Sequence, residues 1–154
     1  GFTKKLFVGL HVHRIFDIDQ KARNFKMKYT LRSIWRDCRT LHNCSYLQLD
    51  DKHPEFRNFW KPQFDKQEVT DSEATMMKTR ISIDPDGLVQ YESDHVSTIG
   101  CEFQFEDFPF DEQHCTFTLF TPLLPWIQLD WEYQFGKAGV LYDPHHLGDW
   151  DISE

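Results

Sequence analysis

From Phe25 to Trp35 every second side chain (Phe25, Met27, Tyr29, Leu31, Ser33, Trp35) is apolar or small, while Lys26, Lys28, Thr30 and Arg32 between them are polar. A strand turns successive side chains to opposite faces, so this period of two specifies one buried and one wet face and excludes an amphipathic helix. The same alternation sets Leu6, Val8, Leu10 and Val12 against Phe7, His11 and His13. It also sets Ile127, Leu129, Trp131, Tyr133 and Phe135 against Gln128, Asp130, Glu132 and Gln134. Asp84-Pro85-Asp86-Gly87 has tight-turn chemistry, Pro presetting φ and Gly accepting φ > 0, and joins 80–83 to 88–91 as a hairpin. Only 68–77 lacks a decided period, and it reads as a short irregular or helical stretch. One-sided strands with regular turns predict an all-β chain in which two antiparallel sheets form a sandwich.

The 154 residues make one domain, 1–154, and fourteen phenylalanines are enough to fill its core. No apolar run approaches the ~18 residues of a membrane helix. A net charge of −8 without a basic run excludes a nucleic-acid partner. Gly1-Phe2-Thr3-Lys4-Lys5 lacks the build of a signal peptide, as expected of a mature or trimmed chain. Cys38, Cys44, Cys101 and Cys115 allow three connectivities. Their spacing is not that of a zinc knuckle, and no metal or cofactor is expected. Asn43-Cys44-Ser45 is a glycosylation triplet at Asn43; beside an even cysteine count it points to an oxidising, extracellular setting. No Ser/His/Asp or Cys/His arrangement supports an enzyme.

Cys101 and Cys115 are separated by thirteen residues, 102–114, in which Phe103 and Phe105 precede Phe108-Pro109-Phe110-Asp111. This stretch resembles the signature loop of the Cys-loop receptors, the pentameric ligand-gated ion channels. Other landmarks follow in the family's order. Residues 31–37 resemble its second strand, Phe59-Trp60-Lys61-Pro62 the start of binding loop A, Asp84–Gly87 the hairpin before the signature loop, and Gly148-Asp149-Trp150-Asp151 the stretch after loop F. The resemblance implies the immunoglobulin-like sandwich of the extracellular ligand-binding domain, at the extracellular face of the plasma membrane. It implies identical or homologous subunits in a pentamer, a small-molecule ligand between them, and a transmembrane domain of the same protein. The family's loop C hairpin and four membrane helices would come after Glu154, so 1–154 is expected to be incomplete at its C-terminus.

The same resemblance implies a Cys101–Cys115 disulfide, and the local spacing adds Cys38–Cys44. Closing a 15-residue loop is worth roughly 3 kcal/mol in the chain-entropy model. The loop tip, Phe108, Pro109, Phe110 and Asp111, is expected to couple ligand binding to the pore. The segment 17–23, with Asp17 and Asp19, is the neighbouring coupling loop between the first two strands. For the tip the alternative is packing back into the sandwich; for 17–23 it is an ordinary polar turn.

Family ligands sit in an aromatic box that holds an ammonium by cation–π attraction. Carried over residue by residue, the positions here are Trp60, Pro122 where loop B usually has an aromatic, and Thr30 where the second strand usually has one. Trp126 is a possible substitute beside loop B. On the complementary face Arg32 matches the position at which amino-acid-gated members hold a ligand carboxylate, and Glu92 and Asp94 are expected to flank and neutralise it. A standard neurotransmitter is therefore not expected as the ligand. His11 and His13 share one strand face, and His145-His146 adjoin a loop, but neither pair is assigned a metal. Asp149 and Asp151 are read as a solvated loop. A soluble binding protein of the same fold, gating nothing, is the alternative function.

Overall fold

The computed structural model describes residues 4–40, 47–67, 69, 75–104, 113–121, 127–131 and 140–142. Strands β1 (Lys4–Asp19) and β2 (Asn24–Arg36) form a long antiparallel hairpin. A short 3-10 turn at Cys38–Thr40 leads to β3 (Leu47–Asp50), and a second at Pro54–Asn58 precedes β4 (Asp65–Lys66). Then come β5 (Thr75–Ile83), β6 (Leu88–Gly100), β7 (Leu119–Phe120), β8 (Ile127–Trp131) and β9 (Val140–Tyr142). The larger sheet runs β3-β5-β6-β2-β1-β8 with β9 also on β1, and β4 pairs β7 in the second sheet. Among the described residues no helix is long and apolar enough to cross a membrane.

The alternation read in β1 and β2 is observed in large part; in β2 it holds as far as Tyr29, beyond which Thr30 and Ile34 on the other face are buried as well. Leu6, Val8, Trp35, Ile81, Ile83, Val89 and Tyr91 build one buried cluster; Val12, Phe25, Met27, Tyr29, Leu31, Ile99 and Cys101 build the other. Each large apolar side chain so buried contributes about 1.5–3 kcal/mol. The hairpin at Asp84–Gly87 forms as expected: Ile83 pairs Val89, Asp84 N donates to Leu88 O, and Gly87 adopts a φ of 82° that a side chain would disfavour.

Three expectations are modified. The sheet is not wholly antiparallel, because β8 and β9 run parallel to β1. Both reach β1 after long connections, and only such crossovers permit parallel pairing. The undecided segment 68–77 already enters β5 at Thr75, and Val69 bridges Ile99; pairing with β6 supplies what local pattern did not. The expected loop 17–23 is shorter than read. β1 continues through Asp17, at a left-handed φ of 50°, to Asp19, leaving a four-residue turn before Asn24.

β1 carries two register shifts, between Val12 and Arg14 and between Phe16 and Asp19. Each extra residue moves the inward parity by one, so Val12 is followed on the core side by Ile15 and then Ile18. Asp19 Oδ1 accepts from Ala22 N–H at 2.9 Å and closes the turn. The turn meets the root of the disulfide loop, where Cys101 N–H donates to Arg23 O at 2.9 Å. Cys101 and Cys115 are bonded, their Cα atoms 5.4 Å apart. At the base of that loop Gln104 N–H donates to Gln113 Oε1 at 2.7 Å, and Gln113 Nε2 donates back to Gln104 O.

Candidate functional site

Register brings the predicted complementary-face residues together. β2 and β6 pair antiparallel with Thr30 opposite Asp94 and Arg32 opposite Glu92. β5 then sets Arg80 opposite Glu92. All five side chains stand on the sheet face away from the apolar clusters, because they alternate with Tyr29, Leu31, Ile81, Tyr91 and other core residues.

Most of their polar atoms pair with one another, the buried Arg32 Nε making no hydrogen bond. Thr30 Oγ1 donates to Asp94 Oδ1 at 2.6 Å, and His13 Nε2 lies 2.7 Å from the same Thr30 oxygen. Arg80 bridges the two acids, with Nη1 3.2 Å from Asp94 Oδ2 and Nη2 bonded to Glu92 Oε2. Arg32 Nη2 donates to Gln90 Oε1 at 2.8 Å, and its Nε is 3.6 Å from Glu92 Oε1. Two guanidiniums thus face two carboxylates. Burial pushes the Asp94 carboxyl up, but the Thr30 hydroxyl and the Arg80 guanidinium outweigh it and hold the group below the usual carboxylate range. Glu92 and Asp94 were expected to flank and neutralise Arg32; Glu92 stands beside it, whereas Asp94 pairs with Thr30 and Arg80 instead, and the parts of Arg80 and Gln90 in the network were missed. Counting back from the Asp84–Gly87 turn gives the Arg80–Glu92 pairing directly, so the signal was present.

Trp60 lies elsewhere. It packs edge-on against the buried Trp35, ring centroids 5.3 Å apart, on the core side of the sheet, while remaining 38% exposed. Beside it, Lys61 donates to the carbonyls of Phe56 and Phe59 at 2.6 and 2.9 Å. Pro122, Trp126, the tip Phe108–Asp111, Asn43 and Cys44 lie outside the described residues, as do His145, His146, Asp149 and Asp151. The expected Cys38–Cys44 bond therefore falls on undescribed positions.

A second polar group, unforeseen, is buried within the sandwich. His95 is 6% exposed and stacks on Tyr29 with centroids 5.2 Å apart. Lys66 Nζ lies 3.1 Å from His95 Nδ1, and His95 Nε2 lies 2.7 Å from Ser93 Oγ. An ammonium can only donate, so Nδ1 accepts and Nε2 carries the proton: the ring is neutral. Burial, then the Lys66 charge, lower the His95 pKa to about 4, against a smaller opposing pull from Asp94. Tyr29 OH pairs with Ser97 Oγ at 3.0 Å on the same face. The signal was strand parity: His95 falls in step with Val89, Tyr91, Ser97 and Ile99.

Comparison with known proteins bears on this geometry. The family model described as the neurotransmitter-gated ion-channel ligand binding domain matches residues 3–138. The acetylcholine receptor subunit beta-type acr-2 of Caenorhabditis elegans is 25% identical over 148 residues, covering 94% of this chain. The chain spans 26% of that relative's length.

Proposed function

We propose, because the chain belongs to the neurotransmitter-gated ion-channel ligand-binding domain family, that it is the extracellular ligand-binding domain of a subunit of a pentameric ligand-gated channel. Ligand binds between neighbouring subunits, and the Cys101–Cys115 loop, with the Asp17–Arg23 hairpin end beside its root, passes the change to a transmembrane domain of the same protein. The hydrogen bond from Cys101 to Arg23 O supports the pairing of these two coupling elements.

The observation that supports the ligand reading is the pairing of Thr30, Arg32, Arg80, Glu92 and Asp94 with one another. A ligand carboxylate at Arg32 would have to displace Gln90 and Glu92, leaving a partly buried acid short of its partner. An ammonium ligand finds two acids already bridged by Arg80 and, at Thr30 and Pro122, no aromatic face. Each missing face forfeits about 0.5–2 kcal/mol of cation–π attraction. The ligand in this reading is an amphiphilic or cationic molecule contacting Trp126 or Arg32.

Calorimetry on the assembled full-length receptor, with currents recorded from the same protein in cells, tests this. Acetylcholine, serotonin, GABA and glycine are expected to bind no tighter than millimolar and to open no channel. Micromolar binding of any one of the four would overturn the ligand reading. Currents gated by any ligand would distinguish a channel from a soluble binder.

A further inference from the structure

Arg80 stands where three strands bring acids together. Across the ladder it faces Glu92 of β6 on one side and Asp50 of β3 on the other. Its fork spans two carboxylates, with Nη2 bonded to Glu92 Oε2 and Nη1 3.2 Å from Asp94 Oδ2. Among the described residues it is the one cation bonded to both acids; Arg32 approaches Glu92 at 3.6 Å, and Lys78, opposite Asp94 in register, is exposed. We propose that Arg80 is the charge-selecting residue of the ligand face: its guanidinium fills, from within the same subunit, the place an ammonium ligand would take between Glu92 and Asp94, and so excludes small cations. This rests on the reading of that face as the ligand side of a subunit interface.

The other oxygen of each acid is already committed. Asp94 Oδ1 accepts from Thr30 Oγ1 at 2.6 Å, and Glu92 Oε1 lies 3.6 Å from Arg32 Nε. Glu92 Oε2 and Asp94 Oδ2 are the oxygens left for a bridging cation, and Arg80 takes both. The side chains of Arg80, Glu92 and Asp94 are only 33, 25 and 26% exposed, so salt screens these pairs less than it screens pairs at the open surface. Without Arg80, two half-buried carboxylates would stand together with Arg32 beside one of them, and Asp50 would add a third negative charge on the same sheet face. A cation from solution would relieve that repulsion.

With Arg80 in place, a free ammonium has to displace a guanidinium tethered by its own backbone. Such a group competes at an effective concentration of about millimolar or more. Displacement also leaves the guanidinium without its two partners, a cost that falls on the cationic ligand and not on a neutral one. Selection of this kind works against one class of ligand and needs no new contact to the class it admits. Arginine suits the task because its planar fork presents separate nitrogens to the two acids, whereas an ammonium is a point charge.

The test is calorimetry of the assembled full-length protein with choline chloride and with 3,3-dimethylbutan-1-ol, which has the shape of choline without its charge. Arg80→Met and Arg80→Gln are each expected to bind choline at least roughly tenfold more tightly than native protein, and the alcohol no better. Arg80→Lys keeps a cation at the acids and is expected to stay within about threefold of native. Arg80→Ala leaves a gap of guanidinium shape, so ethylguanidinium is expected to enter it and to compete there with choline. A merely structural role for Arg80 would give none of this charge selectivity. In native protein, where no variant has to fold, ¹⁵N spectra should show two resolved Nη signals for Arg80, one for each acid, unmoved by choline. A single averaged signal, equal choline affinity in native and Arg80→Met protein, or an equal gain for the uncharged alcohol would each overturn the proposal. Single-particle images of choline-loaded Arg80→Met separate it from the reading it rests on. Choline between Glu92 and Asp94 upholds charge exclusion, and the presence or absence of a neighbouring subunit there decides the interface alone; choline elsewhere overturns the proposal.

Discussion

Replacing Cys101 and Cys115 together by serine is expected to lower the unfolding free energy by roughly 3 kcal/mol. For a domain of this size that corresponds to a fall in Tm of roughly 6–12 °C. Closing the loop restricts the unfolded chain, and the bond also holds the buried Cys101 in the same apolar cluster as Phe25 and Ile99. Substituting both cysteines avoids leaving one reactive thiol. Calorimetric melting under oxidising conditions measures the effect, and a fall of under about 2 °C would show that loop closure contributes little. The loss should be felt most at the joint with the first hairpin, where Cys101 N–H donates to Arg23 O. Hydrogen exchange at the amide of residue 101, the donor of that bond, reads it directly.

Acidification from pH 6.5 to 4 is expected to cost the folded domain roughly 3 kcal/mol through His95 alone. The sign follows from the neutral ring. An unfolded histidine takes up a proton near pH 6.5, whereas His95 in the fold does so only at about 4. Above pH 6.5 both states are neutral and nothing is lost. Between 6.5 and 4 the unfolded chain binds the proton and the folded one does not, so stability falls with pH. Below 4 the contribution is constant. Burial is the first cause, and the Lys66 ammonium 3.1 Å from Nδ1 is the second. Asp94 acts in a different window: its folded pKa is depressed, so its stabilisation stands above the ordinary carboxylate pKa and is lost as pH falls through the lower folded value. Denaturant unfolding across this range should lose most of its slope between 6.5 and 4 in His95→Gln. In Lys66→Met the His95 pKa should rise from about 4 toward 6.5. An His95 titration in native protein near 6.5 would contradict the buried, lysine-paired ring.

Much of this was legible in the sequence because a strand states its own burial. Phe25 to Trp35 and Leu6 to Val12 announced their core faces, and Pro85 with Gly87 fixed the β5–β6 hairpin and its register. The cysteine spacing with Phe108-Pro109-Phe110-Asp111 identified the family. What was missed depended on partners far along the chain. Parallel pairing of β8 and β9 with β1 cannot be read from either strand alone, since alternation looks the same in both senses. The bulge at His13 is a register event between strands, and it converts two histidines on a strand face into a ring pair tied to Thr30. Arg80 was recoverable from the hairpin count, and His95 from strand parity. Its neutral state was not, because Lys66 comes from the opposite sheet.

The central claim is that the face of Thr30, Arg32, Glu92 and Asp94 meets a neighbouring subunit in a ring of five. Single-particle imaging of the assembled full-length protein tests it most directly. The account predicts five copies around one axis, with these four side chains within reach of the adjacent copy and the Cys101–Cys115 loop directed at the membrane. Another stoichiometry, or a ring in which the four side chains point into solvent away from any neighbour, would contradict it.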